Sequence, residues 1–218
     1  MSLKWKEISL LMEEAHAPLM GSSIQKVAQL REVAAGESFL FQGFGPNGPW
    51  RLWVCLLFDH ACWVLAPEEW KVESQPEPST FVMVLRKRLV GKRIIGLEQV
   101  RNERFLLLHF EADLSLLFEL LPKRANILLI EGWNPEERTG RYIQSFRQVS
   151  LESGGIYRLP PAPATASTSA AEVRDFGGAS LPGPLALHGA VSAKYWTAVQ
   201  KTGFTTYRRL WQKAWKSY

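Results

Sequence analysis

Apolar residues recur along this chain with two periods, and the switch between them marks out its elements. Trp5, Ile8, Leu11, Met12 and Ala15 fall at helical spacing, so Trp5 to Leu19 predicts an amphipathic helix that ends at Gly21. SSIQKVAQL then alternates as a strand does. From Phe39 to Leu65 the stretches FLFQGF, WRLWVCLLF and ACWVLAP are separated by GPNGP and Asp59-His60, which predicts two or three antiparallel strands. ESQPEP reads as a loop. Ser79 or Thr80 then caps a short helix with Phe81, Val84, Leu85 and Leu89 as its apolar stripe and Gly91 as its stop. After Gly91 the period becomes two. KRIIGLEQV, RFLLLHFEA, LSLLFELL and ANILLIE predict four consecutive strands, the middle pair joined near Glu111 to Asp113. Their apolar content is high on both faces, as in a sheet covered on both sides, and Tyr142 to Ser150 adds one more strand. The predicted fold class is α+β, an antiparallel β-sandwich flanked by helices.

Composition changes sharply at Pro160. Residues 162–190, with PATASTSAA and GGASLPGP, read as a Pro/Ala/Ser/Gly linker. Residues 191–218 read as a basic aromatic helical tail, with Phe204, Tyr207, Trp211, Trp215 and Tyr218 on one face and Arg208, Arg209, Lys213 and Lys216 elsewhere. That aromatic face either docks on the sandwich or stacks on unpaired bases, and an apolar face inward with cations outward satisfies both. The predicted organisation is therefore a sandwich domain over residues 1–161, the linker, and the tail.

Charge adds a second layer. The net charge is +5 over 218 residues, which permits a polyanionic partner without requiring one. Its distribution says more. Seven Lys or Arg, at 86, 87, 88, 92, 93, 101 and 104, fall within nineteen positions that hold two Glu. Arg86, Lys87 and Arg88 in the last turns of a helix also complement its dipole, so a structural account stands beside the phosphate-binding one. The candidate RNA-binding residues are Arg86, Lys87, Arg88, Lys92, Arg93, Arg101, Glu103 and Arg104.

Enzyme signatures are missing. The chain contains no GxxxxGK[ST], no GxGxxG after a strand, no HExxH and no GxSxG. Cys62 lies beside Asp59-His60, but Cys55 and Cys62 do not complete a zinc site without distant histidines, so a turn beside buried strand cysteines is the preferred reading. No catalytic, metal or cofactor site is expected. Neither a cleavable export signal nor a membrane span is read in the sequence, which predicts a cytoplasmic protein with reduced thiols and no membrane partner.

The order of several short motifs resembles one family. These are GSSIQKVAQ (Gly21 to Gln29), then Phe81, Met83, Leu85, Arg86 and Lys87, then Gly91, Arg93 and Ile94. Gln99, Glu103 and Arg104 follow, then Glu119-Leu120, Ala125 to Leu129, and Gly154, Tyr157, Pro160 and Pro161. In this order they resemble the N-terminal domain of the NFACT family, the ribosome-associated quality-control proteins once called fibronectin-binding proteins in bacteria. The resemblance covers about Leu3 to Pro161. It implies a fold similar to the N-terminal domain of formamidopyrimidine-DNA glycosylases. It also implies partners: the large ribosomal subunit and tRNA.

In the family an Asp-Arg pair is needed for tailing stalled nascent chains. Glu103 and Arg104 match it here, with Asp replaced by Glu. The family's coiled coil has no counterpart in the chain, and a second protein chain supplying it is one implied arrangement. Base excision is not expected, because the chain begins Met1-Ser2-Leu3 where the glycosylases have a Pro amine followed by Glu. The resulting expectation is a non-catalytic RNA-binding factor, with a cytoplasmic protein-interaction module as the alternative.

Overall fold

The computed structural model of the chain describes residues 3–31, 37–57, 61–67, 72–100 and 102–160. The predicted linker and tail, along with Asp59-His60 and Arg101, lie outside the described residues.

Among the described residues, two helices and ten strands follow in the order α1 (Trp5–Leu19), β1 (Ser23–Gln29), β2 (Ser38–Gly45), β3 (Gly48–Cys55), β4 (Cys62–Leu65), α2 (Thr80–Leu89), β5 (Ile94–Gln99), β6 (Phe105–Phe110), β7 (Leu114–Glu119), β8 (Asn126–Asn134), β9 (Thr139–Ser145) and β10 (Ile156–Arg158). Strands β1 to β4 form one sheet in that order. The second sheet has the order β10-β9-β8-β7-β6-β5, and every pairing is antiparallel. The α+β sandwich predicted from the period switch is what forms.

The sheets face each other through aromatic contacts. Phe41 of β2 meets Phe118 of β7 edge to face, and Trp63 of β4 meets the same ring. Helix α1 packs on β3, β4 and β5, while α2 packs on β1 and β9, so each helix bridges one strand set of the first sheet and one of the second. The sheets also touch at a corner, where Ser23 pairs with Arg93 and the Ile24 amide donates to the Lys92 carbonyl at 3.2 Å.

The prediction of a sheet covered on both faces is met by simple alternation. Leu106, Leu108 and Phe110 of β6 enter the main core, whereas Phe105 and Leu107 enter a second cluster with Leu117, Leu128, Ile130, Tyr142 and Leu159. Tyr157 and Trp133 pack against that second cluster from outside.

Some local expectations are corrected. Ser79 occupies the N-cap of α2, yet its hydroxyl makes no capping bond; its backbone N–H donates to Gln29 Oε1 at 3.1 Å. Val82 joins Phe81, Leu85 and Leu89 in the buried stripe of α2, and Val84 packs half-buried against the same core, because the helix packs on two sheets and needs a wider apolar face. Strand β9 begins at Thr139, earlier than predicted, and β10 was not anticipated as a strand. Gly21 and Gly91, placed at the two helix ends, adopt φ of 72° and 82°, the left-handed conformation that closes a helix.

Candidate nucleic-acid interface

The candidate cations are carried by α2, the turn after it, and the turn between β5 and β6. Arg86 sits on α2 beside β1, and its Nε donates to the Val27 carbonyl at 2.9 Å. That bond ties the helix to the sheet edge, so part of this guanidinium is already used inside the fold. Lys87 and Arg88 point outward and are exposed, while Lys92 is half-buried. Arg93 lies 3.8 Å from Glu111 in an open, solvent-washed pair that leaves its charge nearly free.

From Ile94 the chain runs through β5, with a register shift between Ile94 and Gly96, to Gln99, a span of about 17 Å. Only then does it reach Glu103 and Arg104. The fold therefore builds two separate cationic places rather than the continuous ridge that the charge cluster suggests. Arg86, Lys87, Arg88, Lys92 and Arg93 stand at one end of β5, and Arg104 stands at the other. Arg101 lies outside the described residues.

The Arg104 turn is held from several sides. The Val100 amide donates to Phe105 O at 3.1 Å, the Glu103 amide to Val100 O at 3.0 Å, and the Leu120 amide to Arg104 O at 2.9 Å. Gln99 Nε2 donates to Glu103 O at 3.0 Å and to Trp5 O at 2.8 Å, while its Oε1 accepts from Ser9. Gln99 thus fastens the turn to the first turns of α1. Against this fixed backbone, the half-buried Arg104 side chain makes no hydrogen bond or ion pair with the described residues.

Glu103 behaves differently from its neighbour. It is 8% exposed, and its Oε2 accepts from Arg138 at 2.8 Å. Of the described candidate residues, Glu103 is the one whose charged group is turned inward, onto the Arg138 guanidinium.

Several residues around Arg104 carried no signal in the sequence pattern. Lys123 and Arg124, both exposed, follow β7, the strand hydrogen-bonded beside β6, and Arg138 enters from the β8–β9 turn. Glu119, at the end of β7, is buried and accepts a hydrogen bond from the Tyr157 hydroxyl. Burial pushes the Glu119 carboxyl above its ordinary range, while the Tyr157 bond and the Arg124 charge pull the other way. Burial, with the Glu119 charge and hydrogen bond, also pushes the Tyr157 phenol well up. The motif positions Glu119 and Tyr157, distant in sequence, are direct partners here. Only the pairing of β10 on β9 brings Tyr157 to the sheet face that Glu119 occupies.

Comparison with known proteins agrees with this architecture. The model of the family of NFACT N-terminal and middle domains matches residues 11–178. Two curated relatives, both named Rqc2 homolog RqcH and both from Streptococcus pneumoniae (strains D39 and R6), are 34% identical over 104 residues. That match covers 41% of this chain and 18% of each relative, so the chain spans less than a fifth of their length in the match. Among solved structures, the N-terminal domain of fibronectin-binding protein PavA from Streptococcus pneumoniae superposes with a TM-score of 0.63 at 23% identity, covering 75% of this chain and 66% of that one. The N-terminal part of the fibronectin/fibrinogen-binding protein from Streptococcus suis gives 0.62 at 22%, covering 74% and 62%. These likenesses show the fold.

Proposed function

Because the chain belongs to the family of NFACT N-terminal and middle domains, we propose that it is a non-catalytic RNA-binding factor of ribosome-associated quality control, with tRNA or large-subunit RNA as its partner. The observation that carries this reading is Arg104. Its guanidinium is unpartnered among the described residues, on a backbone pinned by four hydrogen bonds, at the position where the family resemblance puts the Arg of its acid-Arg pair. A fixed cation needs little reorganisation to meet a phosphate, and Arg presents a fork suited to it. Lys87, Arg88, Lys92 and Arg93 supply a second phosphate contact about 17 Å away along β5. No bond is made or broken in this reading. The likeness to base-excision enzymes that the family resemblance implies would bring no chemistry with it.

The test uses the whole 218-residue chain. Binding to bulk tRNA and to isolated large ribosomal subunits is measured as salt is raised. Phosphate contacts make log K fall linearly with log salt, and Arg104→Ala should weaken binding about tenfold while reducing the slope by about one. Binding that ignores salt, or none at all at low salt, refutes the reading.

One observation favours a second reading. Met83, Val90 and Ile95 are 54%, 44% and 55% exposed close in sequence to the α2 cations, and apolar groups beside charge also suit a protein partner. A second protein chain would then be captured by the same face. Salt-insensitive binding to ribosomal protein in place of RNA would select this alternative.

A further inference from the structure

Residues 103 and 104 are adjacent, yet their charges are sent in opposite directions. Arg104 is left free among the described residues, while Glu103 is withdrawn into the fold and matched by a guanidinium 35 positions away. The same Arg138 nitrogen, Nη2, donates its other hydrogen to the Pro160 carbonyl at 3.1 Å. The Leu159 amide returns a bond to the Arg138 carbonyl at 3.0 Å. Arg138 adopts φ of 57°, a conformation non-glycine residues rarely take, and its Nε is buried without a partner among the described residues. Strained backbone and an orphaned donor both work against stability. A buried ion pair is itself weak support for a fold and is better understood as fixing one arrangement. What this one fixes is the turn that presents Arg104.

The electrostatic consequence is direct. Were Glu103 released, its carboxylate would swing to the surface beside Arg104. There it would compete with phosphate for the guanidinium and repel the phosphate as well. Arg138 prevents both.

We propose that Arg138 is a positioning residue for Arg104: acting through the Glu103 carboxylate, it holds the turn and removes the negative charge that would otherwise neutralise the RNA contact. This rests on the reading of Arg104 as an RNA contact. Arg138 itself need not touch RNA.

A double-mutant cycle on the full chain, read as tRNA affinity at fixed low salt with thermal melts as the control for folding, tests the assignment. Arg138→Gln should weaken binding about tenfold in the native background and less than about twofold in an Arg104→Ala background. Adding Glu103→Gln to Arg138→Gln should recover affinity to within about threefold of the native chain, because the offending charge is gone. A role confined to stability predicts neither the lost effect nor the recovery at a temperature where all variants are folded.

Arg138→Lys keeps a cationic donor to Glu103 and serves if Arg138→Gln does not fold; it should bind within about twofold of the native chain. A tenfold loss in that variant overturns the proposal. So does an Arg138→Gln effect of equal size with and without Arg104, which would make Arg138 an independent contact. If Arg104→Ala itself leaves affinity unchanged, the RNA reading of this turn falls, and the proposal falls with it. If Arg104→Ala weakens binding but Arg138→Gln does not, only the proposal falls.

Discussion

The rings of Phe41 and Phe118 meet edge to face at 6.1 Å, one from each sheet, within the main core. Both side chains are fully buried, and Trp63 of β4, in the same sheet as Phe41, closes on Phe118 at 6.4 Å. Phe118→Ala therefore opens a cavity between sheets that cannot collapse without moving strands. We expect a loss of about 3–5 kcal/mol in stability, measured by urea denaturation. A loss below 1 kcal/mol would mean that the two sheets do not pack through this ring.

The α2 cations separate into a structural one and free ones. Arg86→Ala removes the bond to the Val27 carbonyl and should cost about 1 kcal/mol of stability. Lys87→Glu with Arg88→Glu should leave the melting temperature within a degree or two while weakening tRNA binding by about tenfold or more. The two readouts should move in opposite order for the two variants. If Arg86→Ala lowers RNA affinity without lowering stability, the division is wrong.

Glu119 makes stability depend on pH in a defined sense. Burial raises its folded-state pKa above the ordinary 4.5. The folded chain therefore holds that proton more tightly than the unfolded chain does, and the stability this contributes is present below 4.5 and is lost as pH rises through the folded value. Glu119→Gln keeps an acceptor for Tyr157 and has no charge to bury. Its melting temperature should gain on that of the native chain as pH is raised from about 4 to 7, and a gap that stays constant or narrows would contradict the burial argument.

Cys55 and Cys62 face each other in the β3–β4 ladder, and both are buried. The hydrogen bond that the Cys55 thiol donates to Cys62, then burial, pushes that thiol well above its ordinary value, so thiolate is scarce. Under native conditions a thiol reagent should modify Cys55 no faster than the chain unfolds, and mild denaturant should accelerate the reaction steeply. Rapid native modification would show that this strand pair opens locally.

Elements with a long, clean period were legible before any coordinates. Helix α1 and strands β5 to β8 follow the apolar spacing, because burying one face of a helix or two faces of a sheet leaves few ways to place Leu, Ile and Phe. Strand β10 escaped because Ile156–Arg158 is three residues long, between Gly154-Gly155 and Pro160, and its middle residue Tyr157 is visible only as a motif position. The candidate cations are close together in sequence and stand apart in the fold. A charge count does not register that six extended residues of β5, spanning about 17 Å, separate Arg93 from Arg104.

Which residues avoid water, where the helical and extended periods begin, and that an acid and an arginine follow Gln99 can all be read along the chain. Those are local properties, fixed by side-chain chemistry and spacing. That Glu103 turns inward while Arg104 stays free of partners among the described residues emerges only in the packed fold. That choice depends on Arg138 and Pro160, brought to the turn by strand pairing across the sheet. No local pattern encodes a partner 35 positions away, because what selects it is the demand that a buried carboxylate find a cation within reach.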